Sequence, residues 1–145
     1  MVNTDLWQKV ILIDDDSLLN LIHRKFLEIV GYHGTILEFH NGFQALEFIY
    51  REIETAPTIG KVIYLIILDL EMPTLNVWGF LERFQKLDPK VKGMFKIIVS
   101  SSSLNPEDIN RALAYESVGE YISKPLTIEA FRRIIGDGIG VVGEK

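Results

Sequence analysis

The stretch VIYLIILDLEMP, residues 62–73, decides the fold class. It begins with an apolar run from Val62 to Leu68, and an acid, Asp69, follows directly. A short run of this kind is typical of a strand that is buried on both faces, and such strands belong to parallel sheets covered by helices. The run is far shorter than the roughly 20 residues that a membrane helix needs. We therefore expect Asp69 at the carboxyl end of a buried strand.

Four further β-rich runs alternate with segments of helical spacing. The runs are Val10 to Ile13, Thr35 to Phe39, Ile97 to Val99 and Tyr121 to Ile122. Five helices are predicted: from a cap at Asp16 or Ser17 to Gly31, from Gly42 to about Ile53, from about Gly79 to Leu87, from Asn105-Pro106 onward, and after Thr127. Strands that alternate with helices form parallel sheets with right-handed crossovers. The predicted class is α/β, a doubly wound three-layer fold with a five-stranded parallel sheet.

Apolar spacing in the first two predicted helices indicates which faces should pack on the sheet. In the first helix the apolar stripe is Leu18, Leu19, Ile22, Phe26 and Ile29. In the second helix Asn41 is the expected cap, and the inward residues are Phe43, Leu46, Ile49 and Ile53.

The composition suits one domain that spans residues 1–145. With 145 residues, 48% of them hydrophobic, the chain has the commonest domain size. We expect a core over about residues 8–135, a loop from Thr55 to Lys61 and a flexible tail over residues 136–145. No second domain is expected.

The charge and cysteine content exclude some classes of partner. The net charge of −5 attracts no polyanion, so direct nucleic-acid binding is not expected. The first nine residues have no apolar signal core, and no membrane association is expected. The chain has no cysteine, which suits a reducing cytoplasm and excludes disulfides and thiolate metal sites.

Polar residues with related chemistry follow four of the predicted strands. They are Asp14, Asp15 and Asp16 after the first, Asp69 at the end of the third, Ser100 after the fourth and Lys124 after the fifth. In a doubly wound sheet the ligand site lies outside the carboxyl ends of the strands. Taken singly, each residue has an ordinary reading as a turn, cap or surface residue. Together they predict one site that holds acids, a hydroxyl and an amine.

Clustered carboxylates repel each other and need a cation to remain ionised together. Carboxylate and carbonyl oxygens with retained waters meet the octahedral demand of Mg2+, while the lack of Cys and of paired His argues against zinc. His23 and His40 are expected on the surface and without a role in the chemistry. A carboxylate facing Mg2+, a lysine and a hydroxyl resembles the equipment for phosphoryl transfer, with Asp69 as the nucleophile.

The whole chain resembles a response regulator receiver domain, a member of the CheY-like superfamily used in two-component signalling. The resemblance rests on the following segments: Ile13 to Asp16, Asn41-Gly42, Ala45-Leu46, Leu68 to Pro73, Ile98 to Ser101, and Tyr121 to Leu126. It covers about residues 8–135. It implies a flavodoxin-like (βα)5 fold with strand order 2-1-3-4-5 and a phosphoacceptor role for Asp69.

The resemblance also implies the roles of the neighbouring residues. Mg2+ would be bound by Asp14, Asp15, Asp69 and the backbone carbonyl of Glu71. Ser100 and Lys124 would bind the phosphoryl group, Ser100 and Tyr121 would act as switch residues, and Pro125 would follow a cis peptide bond.

The implied partners follow from the same resemblance. A histidine kinase or phosphotransfer protein would phosphorylate Asp69. The face formed by the fourth predicted helix, the fifth strand and the fifth predicted helix would then change and bind a separate effector, and a homodimer is possible. The protein would be a signalling phosphoacceptor that catalyses only its own phosphorylation and dephosphorylation.

Val77 and Gly79 depart from the family pattern, Ser100 replaces the commoner Thr, and Glu71 and Trp78 near Asp69 have expectations of their own. Val77 stands where the family usually has glycine, and Gly79 where it often has an acid, so either the loop takes another path or Gly79 supplies the flexibility. Glu71 is expected to reach the phosphoryl group or the attacking water. Trp78 is expected to be a half-buried cover residue.

Three other functions are open to a chain with these residues. The first is a receiver-like module that binds its partner without phosphorylation, as the changes at Val77 and Gly79 suggest. The second is a phosphohydrolase of the haloacid dehalogenase type, although there the nucleophilic Asp ends the first strand. The third is a flavodoxin-like cofactor binder, for which three acids after the first strand are a poor phosphate environment.

Overall fold

The computed structural model describes residues 7–55, 64–71 and 77–137. Its strands are β1 (Lys9–Ile13), β2 (Thr35–Phe39), β3 (Tyr64–Asp69), β4 (Phe95–Ser101) and β5 (Val118–Ser123). Its helices are α1 (Ser17–Ile29), α2 (Gly42–Thr55), α3 (Val77–Gln85), α4 (Pro89–Lys92), α5 (Pro106–Leu113) and α6 (Ile128–Asp137). Within these ranges no helix is long and apolar enough to cross a membrane.

The five strands form one parallel sheet in the order β2-β1-β3-β4-β5. The predicted fold class and strand order are confirmed. Every residue of β3 is buried, because both neighbouring strands and both covering layers of helices enclose it. The register places Asp69 of β3 beside Ser100 of β4. The reversal of strand order between β1 and β3 therefore lies next to Asp69.

Alternate side chains along the strands pack into two hydrophobic cores, one on each face of the sheet. Ile66 and Leu68 belong to the core under α2, α3 and α5, whereas Leu65 and Ile67 belong to the core under α1 and α6. This two-sided burial explains why β3 reads as an unbroken apolar run.

Local signals set most helix boundaries. Asp16 caps α1 by accepting hydrogen bonds from the amides of Leu18 and Leu19, and Asn105 caps α5 ahead of Pro106. Asn41 accepts from the amide of Gln44 and so caps α2. Gly31, just beyond α1, has φ 92°, a conformation that glycine adopts without strain.

The predicted helix set is wrong at one place. The third helix was expected from about Gly79 to Leu87 but spans Val77–Gln85, and a short helix, α4, follows it. Asp88 caps α4 and Pro89 occupies its first turn. The Asp-Pro pair that ends one helix thus also begins another, since proline suits the first helical position.

The predicted inward face of α1 is only partly right: Leu19 and Phe26 are half-buried, and Phe26 packs against the core under α1 and α6. The side chains of Leu18 and Ile29 are exposed, and the buried positions are Asn20, His23 and Leu27. Two of these three buried residues are polar, so the buried face is rotated about the helix axis away from the apolar stripe, with Phe26 at the shared edge. His23, which was expected on the surface, is only 3% exposed, whereas His40 is exposed as predicted.

In α2 the predicted face holds except at its first residue. Leu46 and Ile49 are buried, but Phe43 is 51% exposed. The Phe43 ring lies against the guanidinium of Arg83, 5.4 Å from the ring centroid.

The remaining boundary predictions differ in detail. β1, β4 and β5 are longer than expected, and β2 is as predicted. β3 begins at Tyr64; Val62 and Ile63 lie outside the described residues, as does most of the predicted loop, while Thr55 ends α2. α6 extends to Asp137, so Gly136 is helical, and the rest of the predicted tail lies outside the described range.

Candidate functional site

Three carboxylates meet at the carboxyl edge of the sheet. Asp14 and Asp15 follow β1, and Asp69 ends β3, the neighbouring strand. One oxygen from each lies within 4.8 Å of the others, with Asp14 and Asp69 each 4% exposed and Asp15 exposed. Three hard oxygen donors, one of them open to solvent, form a set that suits Mg2+ rather than zinc.

The loop that carries Asp14 and Asp15 is held from three sides. The Asp14 amide donates to the carbonyl of Phe39 at 3.1 Å, which ties the loop to β2. The Asp16 amide donates to Asp14 Oδ1 at 2.9 Å. On the helix side, Asn20 Nδ2 donates to the Asp14 carbonyl at 3.0 Å. Sequence reasoning did not identify Asn20, because a single asparagine in a helix carries no motif.

Burial makes the site electrostatically costly for Asp14. Desolvation, with a contribution from the nearby Asp69 carboxylate, raises the pKa of Asp14 to about 6. A carboxylate with a raised pKa beside a second carboxylate gains most from a cation that neutralises both. The residues present therefore fit a divalent cation.

Lys124 reaches the cluster from the end of β5. Its Nζ lies 2.8 Å from Asp69 Oδ1 and 3.5 Å from Glu71 Oε1. Partial burial alone would lower the pKa of Lys124, but the contact with Asp69 outweighs it and holds this pKa above its usual range. The Lys124 amide donates to the carbonyl of Ser101, and the Lys124–Pro125 peptide bond is cis. The lysine is thus a fixed cation beside Asp69.

Glu71 joins two loops of the site. Its backbone amide donates to Asp69 Oδ1 at 3.0 Å, while its carboxylate accepts hydrogen bonds from both the amide and the hydroxyl of Ser102. The bond from the Ser102 hydroxyl is the main reason that the pKa of Glu71 is lowered. The sequence predicted a reach toward the phosphoryl group, and the pairing with Ser102 was not foreseen.

The two predicted switch residues lie on neighbouring strands. Ser100 is buried beside Asp69 in the β3–β4 register. Tyr121 is half-buried, and its hydroxyl donates to the carbonyl of Ser103 at 2.9 Å. The ring of Tyr121 is therefore tied to the loop that follows Ser100.

The unusual residues that follow Asp69 begin a helix. Val77 is the first residue of α3 and is buried, and Gly79 lies inside the same helix. Within the described ranges, no residue other than glycine has a positive φ. Val77 and Gly79 thus both have helical backbone, while Asn76, at the start of the predicted Asn76 to Gly79 loop, lies outside the described residues. Trp78 is half-buried as predicted, with the guanidinium of Arg111 4.1 Å from its ring centroid.

Together, the sheet and its acidic edge define a class of protein: a doubly wound α/β domain with an aspartate at the strand-order reversal, flanked by two further acids and a lysine. Residues 10–136 match the family described as response regulator receiver domain. Because the match spans most of the chain, the chain belongs to the response regulator receiver family. No curated protein matches it.

Solved structures share the fold. A two-component response regulator from Cytophaga hutchinsonii is 27% identical, with a TM-score of 0.75 over 87% of this chain and 92% of that one. A response regulator receiver protein from Dyadobacter fermentans is 24% identical, with a TM-score of 0.72 over 88% and 94%. The Mn2+-bound response regulator Rcp1 is 18% identical, with a TM-score of 0.67 over 88% of each chain.

Proposed function

We propose that Asp69 accepts a phosphoryl group, in the presence of Mg2+, from a histidine kinase or a phosphotransfer protein. The observation that carries this proposal is the 2.8 Å contact between Lys124 Nζ and Asp69 Oδ1 inside a cluster of three carboxylates. A carboxylate that faces a fixed cation and two further acids has the surroundings that phosphoryl transfer requires.

In the proposed reaction, a carboxylate oxygen of Asp69 attacks the phosphorus of a phosphohistidine. The new bond joins that oxygen to phosphorus, and the phosphorus–nitrogen bond breaks with its electron pair leaving on the imidazole of the donor. Lys124 neutralises charge on the phosphoryl oxygens, and the Ser100 hydroxyl donates a hydrogen bond to one of them. Asp14, Asp15, Asp69 and the Glu71 carbonyl would hold Mg2+, which would supply further neutralisation of the phosphoryl charge.

The phosphorylated state would be read through Ser100 and Tyr121. A phosphoryl group carries close to two negative charges and three acceptor oxygens, so it attracts the Ser100 hydroxyl. A shift of Ser100 moves the following loop, whose Ser103 carbonyl accepts from the Tyr121 hydroxyl. The surface formed by α5, β5 and α6 would then change shape and bind a separate effector or a second copy of the chain.

The proposed role is that of a signalling phosphoacceptor rather than an enzyme with a separate substrate. Asp69 would be consumed and regenerated, so the protein catalyses only its own phosphorylation and the hydrolysis of its acyl phosphate. The aspartate follows Asp14 and Asp15 in the chain, which is the reverse of the order in haloacid dehalogenase phosphohydrolases.

One experiment tests the proposal directly. The protein is incubated with Mg2+ and acetyl phosphate, and its intact mass is compared with that of Asp69→Asn treated in the same way. We expect one added phosphoryl group on the wild type and none on the variant. An unmodified wild type that also gives no Trp78 fluorescence change with beryllofluoride would favour the alternative, a module that binds partners without phosphorylation.

A further inference from the structure

Asn20 is a fully buried polar residue in helix α1, with 0% of its surface exposed. Its side-chain amide donates to the carbonyl of Asp14, six residues earlier, at 3.0 Å. A bond over six residues lies outside the helix pattern, so it joins the body of the helix to the preceding loop. That loop carries Asp14 and Asp15.

The other end of the same amide has no partner. Asn20 Oδ1 is buried and accepts no hydrogen bond from the described part of the chain. An unpaired buried oxygen costs about 1 to 3 kcal/mol, so the residue is not explained by a general gain in stability. Rotation of the amide would not help, because it would place Oδ1 against the Asp14 carbonyl oxygen. The bond to Asp14 is therefore the interaction that accounts for this amide.

The Asp14 carbonyl lies where β1 turns into the acidic loop. The same residue is held on its other side by the bond from its amide to Phe39. With both its amide and its carbonyl restrained, Asp14 has little freedom to rotate its peptide planes. The plane fixed by Asn20 is the one that leads into Asp15, so its orientation sets the direction of the Asp15 side chain.

We infer that Asn20 is a positioning residue for the Asp14 and Asp15 pair, which keeps the two carboxylates in the arrangement that binds a divalent cation. This inference rests on the metal-dependent function proposed above. Groups that orient metal ligands without touching the metal typically change metal affinity 10- to 100-fold when they are removed.

His23 offers a matched control on the same face of α1. It is buried three residues further on, its Nε2 has no partner among the described residues, and its ring packs 5.3 Å from that of Phe131. His23→Leu thus removes a buried polar group with an unpaired atom, as Asn20→Leu does. Of these two substitutions, only Asn20→Leu removes a hydrogen bond to the loop that carries Asp14 and Asp15.

The test is a calorimetric titration of the full chain with Mg2+, combined with urea denaturation in EDTA. We expect Asn20→Leu to weaken Mg2+ binding about tenfold and His23→Leu to change it less than about twofold. The midpoint of urea denaturation in EDTA should fall no further for Asn20→Leu than for His23→Leu, because removal of the unpaired Asn20 oxygen offsets the loss of the donor to the Asp14 carbonyl. A purely structural role would give the opposite pattern, with a lower midpoint and unchanged Mg2+ affinity.

Asn20→Ser provides a second variant should the leucine variant fail to fold. A serine hydroxyl at this position is too short to replace the bond to the Asp14 carbonyl, so the same loss of affinity is expected. Wild-type Mg2+ affinity in a folded variant, Leu or Ser, would overturn the inference while leaving the proposed function intact. Absence of Mg2+ binding to the wild type would instead remove the proposed function, and this inference with it.

Discussion

Glu71 adds a fourth carboxylate to the three of the acidic cluster and lies next to Lys124. Its Oε1 is 3.5 Å from Lys124 Nζ, so it competes for the cation that the phosphoryl group would use. The Glu71 side chain is 42% exposed, which weakens but does not remove this competition. If Asp69 is phosphorylated as proposed, we therefore expect Glu71 to affect both the formation and the decay of the acyl phosphate.

We predict that Glu71→Ala accelerates phosphorylation of Asp69 by acetyl phosphate about fivefold, because one negative charge is removed from the path of an anionic donor. The decay rate of the phosphorylated protein should also change. Both rates can be followed by intact mass. Glu47→Ala removes the same charge from the exposed face of α2 and should leave them unchanged. Equal rates for wild type and Glu71→Ala would contradict the prediction.

His23 makes stability depend on pH. Burial lowers the pKa of His23 from 6.5 to about 4, so the unfolded chain binds a proton at a higher pH than the folded protein does. Stability is therefore full above pH 6.5 and falls as the pH decreases toward about 4. The loss from this group is about 3 kcal/mol in the free energy of unfolding.

We predict that His23→Leu flattens the decline in unfolding free energy between pH 6.5 and pH 4, as measured by urea denaturation in EDTA. His40→Gln, at an exposed position, is the control and should keep the wild-type decline. The prediction fails if the two variants show the same pH dependence.

At the scale of the element, helix α1 buries two polar residues and exposes part of its apolar stripe. The helix buries Asn20, His23 and Leu27, while Leu18 and Ile29 face solvent. Apolar spacing could not predict this orientation, because two of the buried residues are polar. Asn20 is inside because it bonds to the Asp14 carbonyl, and His23 is inside because its ring packs on Phe131. The rotation of the helix about its axis follows from contacts with α6, where the rings of His23 and Phe26 lie against that of Phe131.

We predict that Leu27→Ala lowers the free energy of unfolding by about 2 to 5 kcal/mol, since it opens a cavity in a close-packed core. Ile29→Ala, on the exposed side of the same helix, should cost about 0.5 kcal/mol or less. Chemical denaturation of the two variants measures the difference. Equal losses would mean that the helix packs with the face that apolar spacing indicates.

At the scale of the whole molecule, ionisation of the buried Asp14 carboxylate lowers the free energy of unfolding when no cation is bound. The raised pKa of Asp14 means that its ionised form is less stable in the folded protein than in the unfolded chain. Stability from this group falls as the pH rises from about 4 to about 6 and stays reduced at neutral pH. A cation bound only to the folded state would reverse the loss.

We predict that Asp14→Asn raises the free energy of unfolding in EDTA at pH 7 by about 1 to 2 kcal/mol. Mg2+ at a hundred times its dissociation constant should stabilise the wild type by about 2.7 kcal/mol, and the variant by much less. Thermal unfolding with Mg2+ or EDTA provides the comparison. If the variant is less stable than the wild type in EDTA, the charge on the buried Asp14 carboxylate does not destabilise the folded protein and the prediction is wrong.

The strands and the residues at their ends could be predicted from the sequence by itself. A strand buried on both faces must be apolar throughout, and parallel strands end at one edge, so Asp14, Asp69 and Lys124 had to lie near each other once the class was known. The start of α3 at Val77 could not be predicted, because it depends on how the chain leaves β3.

Only the tertiary structure decided the rotation of α1, the pairing of Glu71 with Ser102 and the bond from Asn20 to Asp14. Glu71 and Ser102 are 31 residues apart, and their approach follows from the β3–β4 register. Periodicity and propensity act over a few neighbouring residues. Contacts of this kind depend on how separate elements pack, which no local pattern contains.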